Sequence, residues 1–394
     1  MTRALEQLPT EASSTSIQLH GQLARGHLFR DQPELALEQV SPGLEAAEQL
    51  GRRTATLQLL ITKSWALSSL RRPRESTALL LGAMRMADDE GELSPRLRAR
   101  FNLSGYLVVD NPFWAMEIAE EGIALSQQFG FTLTATNMAG NAATIALLMG
   151  DLDRVLALEE SVTEVNNPIG MSIHGYAAAA IALRGDADEA RRRMTGVHAG
   201  HAGTSSAQDL STIGYQESLI AFAEGNLNEA RRTARETRDA YFGADGPLAG
   251  VLAARLSLLL RDAAGAHADR DRLAVNRIFG AWLNRAVDEV DAGILALEGR
   301  TAEAAAAYRR VIDDWRDTNL KFDLALTLLE RARLLPEDDE AVAGRDEAAQ
   351  IFAPIGATGL LERIEAALPP LEPARAAARR SPTPRSADGA ATRR

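Results

Sequence analysis

One short turn pattern recurs along the chain and constrains the fold more than any other feature. The strings "GDLDRV", "GDADEA", "GNLNEA" and "GRTAEA" begin at Gly150, Gly185, Gly225 and Gly299. Weaker copies, "DQPELA", "RRPRES", "DNPFWA" and "RDAAGA", begin at Asp31, Arg71, Asp110 and Arg261. The eight starts are separated by 40, 39, 40, 35, 40, 36 and 38 residues. A near-constant period in this range is the mark of a stacked array of helical hairpins.

Two further columns test the pattern, the first of them independent of the strings that define it. Seven residues before each start stand Ala24, Ser64, Leu103, Ala143, Ala178, Ser218, Ala254 and Ala292. Five residues after each start stand Ala36, Ser76, Ala115, Val155, Ala190, Ala230, Ala266 and Ala304. Small side chains on both sides of a turn let two helices approach closely. Around each turn lie apolar-periodic stretches, as in 210–242, and neither helix of such a pair can bury its apolar face alone.

The turn chemistry agrees. Glycine ends the first helix in the left-handed conformation at little cost. Asp or Asn caps the next helix, or Pro33, Pro73 and Pro112 pre-set its first turn. The tripeptide Arg184-Gly185-Asp186, which resembles an adhesion signal, is therefore a helix end followed by a cap.

Composition fits helices and narrows the function. Hydrophobic residues make up 46% of the 394 and aromatics only 5%, so cores are built from small side chains. There is no cysteine, which excludes disulfides and cysteine zinc sites. The longest apolar run, 176–183, is too short to span a bilayer, and the first residues lack a signal-peptide core; a cytoplasmic protein is expected. The formal charge is −11, while 369–394 carries a net +4, so the remainder carries −15. An acidic body of this kind repels nucleic acid and anionic membrane, except through the basic tail.

The small residue in the first helix, the turn "G-D/N-x-x-E-A" and Tyr308 four residues after Ala304 resemble tetratricopeptide repeats. The unit is longer, near 38 residues against 34, with apparent long links at 87–94 and 197–206, and the family's Trp and Tyr positions are mostly aliphatic. Looser repeats of this kind resemble the C-terminal arms of large bacterial cyclase, ATPase or transcriptional-activator signalling proteins. The ending 346–368 is similar to how cyclase-linked arms finish. The resemblance implies an all-α, right-handed superhelix of eight or nine hairpins with a concave groove lined by the first helices.

The ends differ from the body. Residues 1–13 read as the remnant of a preceding helix, leaving a repeat face that an upstream domain or partner would cover. The array is expected over 14–368, with 338–353 as the last second helix and 358–368 as a closing helix whose Glu362 and Arg363 point outward. From 369 to 394 the Pro/Ala/Arg-rich tail lacks apolar periodicity and should be disordered.

No motif of catalysis is present: no Gly-Lys-Ser/Thr phosphate loop, no G-x-G-x-x-G after a strand, no His-Glu-x-x-His and no G-x-S-x-G. No cofactor or metal is implied. His198 and His201 have helical ligand spacing but sit in what reads as a glycine-rich link without a third ligand. His20 and His27 read as hydrogen-bonded structural groups, and the arginines of 191–193 as a solvated, partly paired face. Phasing the first helices from their turns puts Arg25, Arg100, Asn137, Asn141, Tyr176, Tyr215, Gln216 and Arg255 in the groove. Paired amides and tyrosines at such spacing suit the backbone of an extended peptide, and Gly21, Gly140 and Gly175 would let it approach. The expectation is a non-catalytic scaffold for a protein or peptide, serving as a regulatory or sensor arm. The alternative is the C-terminal segment of a multidomain cyclase or signalling ATPase whose catalytic domains lie outside this chain.

Overall fold

The computed structural model describes residues 12–30, 32–162, 168–203, 206–240, 245–275 and 280–371, without the side chains of 168–170. The expected helix remnant, up to residue 11, and the tail from 372 lie outside the described residues.

Every described element is helical. The nine hairpins pair α1 (Ser14–Leu28) with α2 (Pro33–Gln49), α3 (Arg53–Ser69) with α4 (Pro73–Glu90), and α5 (Leu93–Leu107) with α6 (Pro112–Gln128). Then come α7 (Thr132–Met149) with α8 (Leu152–Glu160), α9 (Pro168–Leu183) with α10 (Ala187–Gly200), and α11 (Ala207–Ala223) with α12 (Leu227–Ala240). The last three pair α13 (Asp245–Leu259) with α14 (Ala263–Val275), α15 (Ala281–Leu297) with α16 (Thr301–Asp317), and α17 (Lys321–Leu334) with α18 (Asp339–Phe352). A closing helix, α19 (Leu360–Ala367), follows.

All sixteen residues of the two small-residue columns are fully buried, at 0% exposure. The turns behave as their chemistry requires. Gly150, Gly185, Gly225 and Gly299 have φ between 78° and 106°. Arg71 and Arg261 adopt the same left-handed conformation, at 59° and 58°, where most side chains are strained. Asn111, Asp151 and Asp186 accept a backbone N–H three residues on, capping α6, α8 and α10. The extra unit length resides in the helices, not in the links. Helix α4 runs to Glu90 and α5 starts at Leu93, while α10 continues to Gly200. The first apparent link is therefore largely helical, with Gly91 turning it (φ 70°), and the second is helical as far as Gly200.

The superhelix closes on itself about every five repeats. The third repeat's turn meets the eighth repeat: Asp110 accepts the N–H of Ala281 on Oδ1 at 2.7 Å, and Leu283 N–H donates to Val109 O at 3.2 Å. These acceptors satisfy N–H groups that the start of α15 leaves unpaired. Gly280 permits the approach, since a Cβ there would lie 1.9 Å from Val109 O. The fourth turn likewise meets the ninth repeat, at Gly150 against Phe322.

Helix α19 completes the stack beneath the fifth and sixth turns. Arg363 points inward, correcting the outward expectation. Its guanidinium donates to Ala223 O at 2.7 Å and Leu183 O at 3.2 Å, capping the carbonyl ends of α11 and α9.

Candidate functional site

Closure of the superhelix turns the concave face into a lumen of about 840 Å³. Its wall follows the first helices. The residues six before each of the first four turn starts, Arg25, Trp65, Ser104 and Thr144, all line it. Gly280, Ala281 and Asn284 of the eighth repeat complete the wall from the other side.

The charges of the lining are segregated. The cations Arg25, Arg71, Arg74 and Arg98 all come from the first three repeats; of the carboxylates, Asp110 lies in the third repeat's turn, and Asp209 and Asp245 come from the sixth and seventh repeats. Arg98 is oriented by neutral acceptors: it donates to the Gln58 carbonyl at 3.1 Å, Gln58 Oε1 at 2.7 Å and Thr62 Oγ1 at 3.0 Å. Burial, reinforced by the neighbouring Arg25, pushes its guanidinium down to about 10. Beside them Phe29 and Trp65 meet edge to face, their rings 5.1 Å apart, and Phe29 is 76% exposed.

Across the lumen, Asp245 opens α13 and is buried. It accepts from the Tyr176 hydroxyl at 3.0 Å and the Thr212 hydroxyl at 2.6 Å. Burial pushes its carboxyl up, against the opposing effect of those two hydrogen bonds.

The groove residues expected from sequence divide by location. Arg25, Asn141 and Tyr176 line the lumen. Asn141 also clamps neighbouring first helices, its Nδ2 donating to Phe101 O and Ser104 Oγ, each at 3.0 Å. Asn137 is half-buried, and its Oδ1 has no hydrogen-bond partner.

The other four are held inside the fold. Arg100 pairs with Asp88 at 2.9 Å and Glu121 at 3.3 Å, on the flanking second helices α4 and α6. Arg255 pairs with Glu289 and Asp323, each at 2.7 Å. Tyr215 is buried, its hydroxyl pushed well up by burial and then by Asp245 and Asp323. Gln216 is fully buried and donates to Ser172 O at 2.8 Å. Its side chain fills the space over Gly175, where a Cβ would sit 1.8 Å from Gln216 Oε1, so Gly175 serves a close helix crossing.

The histidines go to separate partners. His198 meets Glu217 at 2.8 Å, whereas buried His201 contacts the Val197 carbonyl at 2.9 Å. His20 and His27 meet Gln39 and Gln32. Each of the arginines 191–193 is salt-bridged: Arg191 to Glu217 and Glu224, Arg192 to Glu189, and Arg193 to Glu159 and Glu189.

Sequence phasing missed Arg98, Trp65, Thr212 and Asp245. Arg98 lies two residues from Arg100 in "RLRAR", about 200° around the helix, so only one of them can face the lumen. The acids Asp88 and Glu121 on flanking helices were the available sign that Arg100 is the inward-paired one. Asp245 sits in "GADGPLAG", which reads as a link until α13 is seen to begin there.

No family model matches the chain, and no curated protein matches it in sequence. Among solved structures it is similar to a Rap protein complexed with Competence and Sporulation Factor, with TM-score 0.59 and 9% identity. That match covers 87% of this chain and 99% of the other. A human IFIT1 dimer with m7Gppp-AAAA aligns over 92% of this chain and 91% of its own, with TM-score 0.41 and 13% identity. No described helix is long and apolar enough to cross a membrane. Repeat period, buried small-residue columns and the Rap alignment together make this chain an all-α, tetratricopeptide-like superhelix.

Proposed function

We propose that the protein is a non-catalytic scaffold that takes an extended peptide segment into its lumen. The observation that carries this reading is the lumen itself: about 840 Å³, walled mainly by first helices and by α4, with arginines, amides, hydroxyls and carboxylates set among apolar and aromatic side chains. Such mixed polar walls match a peptide backbone, which offers donors and acceptors along its whole length. The Rap protein of similar fold is solved with a bound factor, which supports a binding role for this architecture. A regulatory arm in bacterial signalling suits a chain whose repeats are longer than the consensus and whose ending resembles cyclase-linked arms. Binding would act by favouring one curvature of the superhelix over another.

The test is retention of peptides from a randomised pool, recovered with the protein by size exclusion and read by mass spectrometry. Gln208→Phe and Asn284→Phe, at exposed lining positions, narrow the lumen and should release the peptides while leaving the circular dichroism unchanged. Peptides held equally by wild type and both variants would place binding outside the lumen.

A further inference from the structure

Two arginines on the lumen wall face each other's charge with no carboxylate to share it. Arg25, on α1, and Arg98, on α5, are both half-buried and both line the lumen. Among the described residues neither forms an ion pair, and Arg25 lowers the proton affinity of Arg98. Elsewhere the array treats the same repeat position differently. Arg255, six residues before its turn start like Arg25, pairs with Asp323 on the first helix two repeats further on. For Arg25 the helix two repeats further on is α5, and it supplies Arg98. What the C-terminal repeats provide internally as a carboxylate, the N-terminal repeats leave to be provided from outside.

We infer that Arg25 and Arg98 form the carboxylate-receiving end of the lumen, taking the C-terminus or an acidic side chain of the bound peptide. The inference rests on the peptide reading above. Arg98 is pre-oriented by Gln58 and Thr62, so little rotamer freedom is lost on binding. Guanidinium groups bind carboxylates in a matched, planar geometry. The neighbouring Phe29–Trp65 pair offers an apolar face for the residue that carries the carboxylate. A polyphosphate backbone fits less well, because the far wall presents Asp209 and Asp245.

The experiment offers the full chain three randomised hexapeptide pools. One has free C-termini, one is C-terminally amidated, and one is amidated and also lacks Asp and Glu. A 5′-phosphorylated hexanucleotide RNA is a fourth probe. Retention should fall by about tenfold or more in the third pool, the loss expected for a charge-assisted pair. The first two pools show whether the terminus or a side chain supplies the carboxylate. Arg25→Glu should abolish the difference between pools while circular dichroism stays unchanged, and Arg25→Lys should partly retain it.

Equal retention from all three pools would overturn the carboxylate site while leaving peptide binding intact. No retention from any pool would overturn the peptide reading and the site with it. RNA binding lost in Arg25→Glu, with no peptide retained, would assign the arginines to phosphate instead.

Discussion

Arg25 and Arg255 occupy the same position of the repeat and live in opposite environments. Arg25 faces an open lumen beside another arginine. Arg255 is sealed between α15 and α17, doubly hydrogen-bonded to Glu289 at 2.8 and 2.7 Å and paired with Asp323. Trp315 and Trp282 donate their indole N–H groups to those same acids, at 3.3 and 2.8 Å. One repeat position thus serves as a buried fastener at one end of the array and faces the open lumen at the other. What differs is the company supplied by the next two repeats. In a solenoid, function and stability can therefore be assigned to separate repeats without changing the fold.

The sharpest way to break this comparison is to truncate both arginines. Arg255→Ala would leave Glu289 and Asp323 buried without their cation, at a cost of about 3–5 kcal/mol. Arg25→Ala removes no ion pair and should stay within about 0.5 kcal/mol of wild type. Urea denaturation followed by circular dichroism measures both. Equal losses would mean that the two positions are energetically alike, contrary to their surroundings.

Closure of the lumen comes next in size. Gly280→Ala would drive a methyl group into the Val109 carbonyl, forcing α15 off the third turn. The expected cost is about 1–3 kcal/mol, as for other overpacked sites. Hydrogen exchange at Ala281 and Leu283, whose N–H groups are held by Asp110 and Val109, should quicken selectively. Unchanged exchange there would show that the contact between repeats three and eight is dispensable.

A third test uses pH to probe the buried end. Three carboxylates, Glu289, Asp323 and Glu330, surround the single Arg255. Glu330 is pushed well above the usual carboxylate range by burial and then by Glu289. The Tyr308 hydroxyl donates to its Oε1 at 2.5 Å, while Oε2 has no partner. Because the folded value is raised, protonation favours the fold. The stability Glu330 contributes is complete below the unfolded carboxyl value, about 4.3, and is lost as pH rises through the folded value. Glu330→Gln, permanently neutral, should therefore show a Tm that falls less with rising pH. Asp245, also raised, contributes the same sign and would leave part of the slope in place. Identical slopes in variant and wild type would remove Glu330 as the source.

How much of this was visible in the sequence depends on the range of the contact. The sixteen column residues were legible because each is fixed within a hairpin or between adjacent helices, and the period alone locates them. The caps at Asn111, Asp151 and Asp186 were legible for the same reason. Closure was not, since it sums a small rotation per repeat over five repeats, and no single unit records that rotation. Arg363 illustrates the loss. Judged within α19 it belongs on the outer face, yet the fifth and sixth turns arrive beneath it. Phase along a helix was the other weak link, because Arg98 and Arg100 differ by two residues and exchange roles entirely. The marks that separate them, Asp88 and Glu121, stand on other helices. Arg25 and Arg255 could not be told apart at all from position, since their difference lies in residues 73 and 68 places away, Arg98 and Asp323.

The smallest expected effect sharpens the comparison by making one end imitate the other. Arg25→Glu would set a carboxylate beside Arg98, reproducing the pairing that Arg255 has with Asp323. Because both side chains are half-buried at a water-accessible wall, the gain should be only about 0.2–1 kcal/mol. Salt separates the two cases further. In wild type, the repulsion between Arg25 and Arg98 is screened as sodium chloride rises, so stability should increase slightly. In Arg25→Glu the same screening weakens an attraction, so stability should decrease. Opposite salt slopes in paired denaturation series would establish that the two groups interact at this end of the lumen. Parallel slopes would mean that they are too far apart to act together, and that a single ligand carboxylate cannot bridge them.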